Sequence, residues 1–401
     1  MPTITFLESF AAVLLQRAIF FYTKDRLDFS DLANLCLALV AGVTYVAGAL
    51  LSHAISARAG ERRTLWAVIA GQLLVSGIVA GFVHVVADVA ATSVLLFVAI
   101  GVLGALMGVK WPLIESYTSA GLAPAASARA IGRFNFAWAS SIPVSLAVAG
   151  PLIATSRWAL FAVAGTINAV SLVLIVPLGR RPVHLPPDHP ERPDTRQVRH
   201  LARLATAARW IMLASYSGLW ILGALMPGVF RELHFRARSA TALFGLTDLA
   251  RLLAFVVLGA WTAWHGRRAG LLRAMIFLPA GFCLMLSAPN LAVVLLGELL
   301  FGLGAGEAYY AALYYAMVVK NASVDAGGVH EGLIGLGFVI GPAAGLIGLA
   351  LAPVLRGQQR GVLAVAAVVF LVCFVQAARS LLPRRPGPSD RPPQRDWPEP
   401  L

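Results

Sequence analysis

Twelve polar or ionisable side chains stand out because the residues around them are apolar: Arg17, Lys110, Glu115, Arg133, Asn135, Asp248, Arg251, Glu307, Tyr310, Tyr314, His330 and Glu331. Charges in such runs are expensive, and they face a protein interior or a water-filled cavity where they find partners. Glu307, Tyr310 and Tyr314 are spaced three and four apart, so they share one face of a helix, a carboxyl beside two hydroxyl-bearing rings. Desolvation favours the neutral form of any carboxyl, so such a group can take up and release a proton near neutral pH. Tyrosines at helix ends also form interfacial belts, a role that fits Tyr315 better than the deeper Tyr309 and Tyr310. Asp248 and Arg251, at i and i+3, either satisfy each other or face a ligand. Arg17 lies nine residues from Glu8, on the opposite helical face, and needs a partner on another helix or a bound molecule. Lys110 and Glu115 do not share a face, which leaves Glu115 with Arg133 as the expected pair.

Other chemistries find no footing. His330 and Glu331 are adjacent, project about 100° apart and lack metal-ligand spacing, so they read as a proton relay, a gate or a capped helix start, and no metal site is expected. Cys36, Cys283 and Cys373 lie in separate apolar runs, with neither disulfide nor metal spacing. No nucleophile motif, Walker loop or dinucleotide fingerprint occurs in a suitable context, so neither enzyme activity nor a cofactor is expected.

The elements that hold these residues must be membrane helices. The chain of 401 residues is 59% hydrophobic and 13% charged, with a mean hydropathy of +0.78, too apolar for soluble domains. Twelve spans of about 20 residues use about 240 residues and leave short loops, a linker and a tail. The runs predict helices over 3–23, 31–53, 64–86, 91–117, 128–154, 158–178, 208–230, 240–263, 269–286, 291–318, 327–353 and 361–382. This divides the chain into an amino-terminal six-helix bundle (1–178), a cytoplasmic linker (179–206), a carboxy-terminal six-helix bundle (207–382) and a disordered cytoplasmic tail (383–401). Within the linker, 194–208 reads as a short amphipathic surface helix. The first residues lack a basic region and a cleavage site, so the first run reads as a retained helix.

The net charge of +13 would point to nucleic acid in a soluble protein, but here the arginines concentrate in loops beside spans. With the amino terminus inside, the linker, the loop bearing Arg58, Arg62 and Arg63, the loop bearing Arg267 and Arg268, and the tail are all cytoplasmic. Arg231, Arg236 and Arg238 run against this bias. Predicted helices one, four, five, eight, ten and eleven carry the ionisable residues; three, six, nine and twelve carry almost none and are expected to face lipid. By depth, Arg17, Asp248, Arg251 and Glu307 suit a midplane site, with Asn135, Trp138, Tyr310 and Tyr314 completing the cavity. Lys110, Glu115, Arg133, His330 and Glu331 suit a cytoplasmic gate or proton-coupling site. The halves also match: Gly60-Glu61-Arg62-Arg63 against Gly266-Arg267-Arg268, aromatic fourth and tenth helices, and Pro143 against Pro342.

Two six-helix repeats with polar first, fourth, fifth, eighth, tenth and eleventh helices and basic second-to-third and eighth-to-ninth loops resemble the major facilitator superfamily. Its loop motif, Gly-x-x-x-Asp-Arg-x-Gly-Arg-Arg, is matched at Arg58, Gly60 and Arg62, with His53 and Ala57 at the Gly and Asp positions; the second copy keeps Gly259, Gly266, Arg267 and Arg268, with Ala263 and Trp264 at Asp-Arg. Gly337-x-x-x-Gly341-Pro342-x-x-Gly345 resembles a motif that superfamily antiporters carry in helix five, where this chain has Gly150-Pro151 near the outer end. Segments 111–115, 132–138 and 330–337 are similar to a bacterial subgroup of unknown substrate. The resemblance implies an all-α membrane fold of twelve spans with a pseudo-two-fold repeat. It implies a monomeric, multi-pass secondary transporter of the cytoplasmic (inner) membrane with both termini cytoplasmic, working by alternating access on a small-molecule substrate, with protons as coupling partner and no nucleic-acid partner. An organic anion or polar metabolite suits Arg17 and Arg251, with Glu307 or Glu331 titrating; export of amphipathic compounds and a transporter-like receptor without flux are the alternatives.

Overall fold

Apolar runs of this length leave the backbone no partner but itself in a bilayer, and helices are the outcome. The computed structural model describes residues 1–119, 124–180, 195–320 and 324–382, and these contain helices and no strands. The first half holds α1 (Pro2–Gln16), α2 (Ala18–Arg26), α3 (Asp31–Ala59), α4 (Glu61–Val85), α5 (Val89–Ser119), α6 (Pro124–Thr155) and α7 (Ala159–Ile175). The second holds α8 (Thr195–Glu232), α9 (Ala237–Phe244), α10 (Leu246–Ala260), α11 (Ala269–Leu286), α12 (Leu291–Lys320), α13 (Val324–Ala350), α14 (Ala352–Leu355) and α15 (Gln358–Leu381).

Among the described residues, eleven helical stretches are long and apolar enough to cross a membrane, and α7, at 17 residues or about 25 Å, is a shorter apolar helix between them. The chain is a multi-pass membrane protein. Successive spans alternate in direction, which defines a terminal face, bearing Met1 and the α3–α4 and α10–α11 loops, and a distal face, bearing the α2–α3 and α8–α9 loops.

Two spans are broken. The first divides at Arg17, which closes α1 and opens α2, and the eighth divides at Gly245, three residues before Asp248. Both interruptions fall beside residues singled out for their charge. The expected separate surface helix over 194–208 is instead, from Thr195, the start of α8, which continues unbroken because no proline or glycine interrupts it before Gly218. The span within α8 is wholly buried, a central post for the second half. The tail from 383 on and residues 181–194 of the linker lie outside the described residues.

Of the helices expected to face lipid, α4, α11 and α15 have only 33%, 39% and 33% of their spans inside the protein; α5 is equally exposed at 33%, which its charged residues did not predict. Exposed Leu74, Val94, Ile276 and Val372 form part of the apolar outer surface. The matched loop glycines share a cause: Gly60 has φ +85° and Gly266 φ +71°, a left-handed turn that disfavours side chains. The halves meet mainly through α3 against α13 and α6 against α9 and α10.

Candidate functional site

The two broken helices deliver the central cluster. Arg17 Nη1 donates to Asp248 Oδ2, and Arg251 Nη2 donates to Asp248 Oδ1, so one carboxylate from the second half is shared by a guanidinium from each half. Asp248 and Arg251 are buried and Arg17 is half-buried, with side-chain exposures of 0%, 5% and 11%. The cations also rest on rings: Arg17 Cζ is 4.9 Å from the Phe244 centroid and Arg251 Cζ 5.0 Å from that of Trp138. Trp138 is in turn held by Asn135, whose Oδ1 accepts its indole N–H at 3.2 Å one turn away.

Within this triad two cations face one anion, and the fully buried Glu298 carboxyl, with no hydrogen-bond partner, lies near Asp248 and Arg17. Arg17 and Arg251 line a cavity of about 120 Å³ to which both halves contribute, Glu331 among its walls. Arg17 Nη2, Arg251 Nε, Gln16 Nε2 and Ser9 Oγ are buried there without a hydrogen-bond partner. Unsatisfied buried donors on a cavity wall are capacity for a ligand or water. The remaining wall is aromatic: Tyr216, Trp220, Tyr309 and Phe338, with Trp138–Tyr309 centroids 5.0 Å apart and Trp220–Phe338 4.1 Å.

A second cluster closes the cavity toward the terminal face. Tyr45 Oη donates to Glu331 Oε2, and the Glu115 and Glu331 carboxyls hydrogen-bond one another. A carboxyl–carboxyl hydrogen bond needs one proton between two acids. α3 and α5 of the first half and α13 of the second therefore meet at a proton-holding contact. His330, next to it, packs its ring 5.0 Å from Tyr309, with neither ring nitrogen hydrogen-bonded.

Other expected residues lie elsewhere. The Glu115–Arg133 pair is replaced by Glu115–Glu331, and Arg133 is exposed. Lys110 does not face the terminal-side contact: its Nζ donates to Glu8 Oε2 at 2.7 Å and to Gln72 Oε1 at 3.3 Å, within the first half. Glu307 does not line the cavity, because Arg273 Nε on α11 donates to its Oε1 at 2.6 Å. Tyr310 and Tyr314 do share a face, but it packs on Trp264 at 5.7 and 5.2 Å, under the α10–α11 loop. There Tyr314 also stacks on His265 at 4.3 Å, and the Gly266 N–H donates to Tyr315 Oη at 3.1 Å. Of the loop-motif arginines, Arg62 Nη1 donates to the Leu178 carbonyl at 2.9 Å, tying α4 to the end of α7, whereas Arg58, Arg267 and Arg268 are exposed. Sequence reasoning missed Tyr45, Tyr216, Trp220 and Phe338; the seventh predicted helix carries no charge in its middle to flag Tyr216, though its density of small and aromatic residues was visible.

Among the described residues, no group of three or more His, Cys, Asp or Glu side chains is placed to hold a metal ion. A family model described as Major Facilitator Superfamily matches residues 3–325 and 210–401. No curated protein matches the chain in sequence. Solved structures that resemble it include a POT family transporter in complex with a thioalcohol-conjugated peptide (11% identity, 93% of this chain and 94% of that one, TM-score 0.72) and a D-xylose–proton symporter (14%, 94% and 95%, 0.64). The human organic anion transporter MFSD10 is similar over 94% of this chain and 97% of its own at 15% identity, with a TM-score of 0.61.

Proposed function

The chain belongs to the Major Facilitator Superfamily, whose members are membrane transporters and not enzymes, and from that premise we propose that it is a secondary transporter of a small organic anion with an apolar or aromatic body. The observation that carries this reading is the shared carboxylate: Arg17 and Arg251 spend one Asp248 between them and keep buried donors free on the cavity wall. An anion entering between them replaces part of that pairing, and Trp138, Tyr309 and Trp220 supply apolar faces for its body. The likeness to an organic anion transporter agrees with this substrate class.

Alternating access rocks the halves about this site. On that motion Glu331 is the coupling group: its contact with Glu115 and Tyr45 joins the halves while a proton is held and parts when the proton leaves. Glu307, already paired with Arg273, takes no part. The terminal face is the cytoplasmic one of the inner membrane, as the concentration of arginine in the α3–α4 and α10–α11 loops favours.

The test is uptake of a labelled aromatic carboxylate panel into proteoliposomes under an inward-acid pH gradient. Arg251→Gln is expected to lower uptake at least about tenfold, Glu331→Gln to leave binding but abolish acceleration by the gradient, and Glu307→Gln to change neither. Binding without flux in the wild type would make the protein a receptor, and equal flux in Arg251→Gln would remove the anion reading. The aromatic wall also favours a second reading, export of amphipathic compounds; uncharged aromatic substrates moving as fast as the anions would establish it.

A further inference from the structure

Arg231, Arg236 and Arg238 sit at the α8–α9 junction on the distal face, where the distribution of arginine elsewhere in the chain leaves few cations. Two of them line a cavity of about 560 Å³, which opens between the end of α2 and this junction. Lys24, Arg26 and His234 join Arg231 and Arg236 on its wall, with Asp25 as the acidic member. Lys24 also meets Asp31 at 3.0 Å and Arg231 meets Asp28 at 2.5 Å. Counting those acids as well, four full cations face three carboxylates. Arg26 is held in place by carbonyls, Ile153 O at 2.7 Å from Nε and Ala154 O at 2.7 Å from Nη2, which orient the guanidinium without cancelling its charge. Arg236 and His234 are exposed to the cavity.

The floor of this vestibule points inward to the central site. Phe21 lines it, and its ring lies 5.8 Å from Phe244 and 6.3 Å from Phe230. On the ring of Phe244 rests the Arg17 guanidinium. A thin aromatic septum therefore separates a wide, cationic outer chamber from the narrow inner one lined by Arg17 and Arg251.

We propose that the distal vestibule is a separate anion-binding site, for soluble carboxylates or phosphates, that collects or releases the anion on the far side of the Phe21–Phe230–Phe244 septum. Its residues run against the topological bias because they serve a ligand and not orientation. The proposal rests on the anion reading of the central site for its role in transport, but binding at the vestibule is measurable by itself.

The experiment uses fluorescein, a rigid aromatic dianion too large for the cavity of about 120 Å³, titrated by polarisation against the full chain in phosphatidylcholine nanodiscs. Expected is saturable binding that weakens about tenfold in Arg231→Gln/Arg236→Gln, and that falls as added salt shortens the screening length. Arg236→Gln alone, an exposed change that leaves the Asp28 pair intact, is expected to weaken it about threefold and serves should the double variant fold poorly. Arg251→Gln is expected to bind the dye as the wild type does, so a failure of the central-site reading leaves this result standing. Absence of saturable binding, or equal affinity in the arginine variants, overturns the proposal. So does loss of dye binding when phosphatidylglycerol replaces phosphatidylcholine, since the cations would then hold lipid headgroups.

Discussion

Lys110 and Glu8 are both fully buried, and their pairing on α5 and α1 is internal to the first half. Removing one partner of a buried pair leaves an uncompensated charge, a loss of about 3–5 kcal/mol, whereas removing both together is often close to neutral. Lys110→Met is therefore expected to lower the melting temperature sharply, and Glu8→Gln/Lys110→Met to recover most of it. A Lys110→Met protein as stable as the wild type would instead mean that the lysine is free to serve a ligand. The contrast with Arg17–Asp248 lies in the placement of the partners. There the pair crosses between the halves, and Arg17 lines a cavity and keeps a spare donor, as the proposed substrate site requires; the Lys110 pair stays within one half and does not line that cavity.

At the scale of the helices, the interface of α3 with α13 is set by close approach. A Cβ at Gly42 would lie 2.2 Å from the Phe338 carbonyl oxygen, backbone that cannot yield, so a larger residue there has to push the two helices apart. Gly42→Leu is expected to shift the protein toward a state opened on the distal face, read as a longer distance between spin labels at the exposed positions Leu32 and Val354. Gly332→Ala, with nothing within 4 Å of the added carbon, is the control and should leave the distance unchanged. Apolar run length made nearly all of these helices legible beforehand, because a bilayer leaves the backbone no alternative to helix. The site was legible only in part. Periodicity placed Glu307, Tyr310 and Tyr314 on one face, correctly for the two tyrosines, but it cannot say what that face meets; the register of α11 decides that, through Arg273. In the same way the axial position of Glu115 was visible, whereas its meeting with Glu331 depends on how one half docks on the other.

Over the whole molecule, contacts between the halves fall in layers. Asp28–Arg231 lies at the distal surface, Arg17–Asp248 at the broken helices, and Glu331 with Tyr45 and Glu115 toward the terminal face. Opening the distal face has to part the first two, and opening the terminal face the third. Their responses to pH differ in kind. Arg231 beside it holds the Asp28 carboxyl below the usual carboxylate range. A group whose value is lowered on pairing contributes fully above its ordinary value, near 4, and loses the contribution only as pH falls through the lowered one. The distal clasp is therefore constant between about pH 5 and 8, and a pH dependence of the conformational equilibrium in that window does not come from the Asp28–Arg231 pair. Asp28→Asn is accordingly expected to raise the distal-open fraction by the same factor at pH 5.5 and pH 7.5, whereas Glu331→Gln is expected to flatten the difference between the two pH values. A pH slope that disappears in Asp28→Asn would transfer the proton-sensing role from the centre of the protein to its surface.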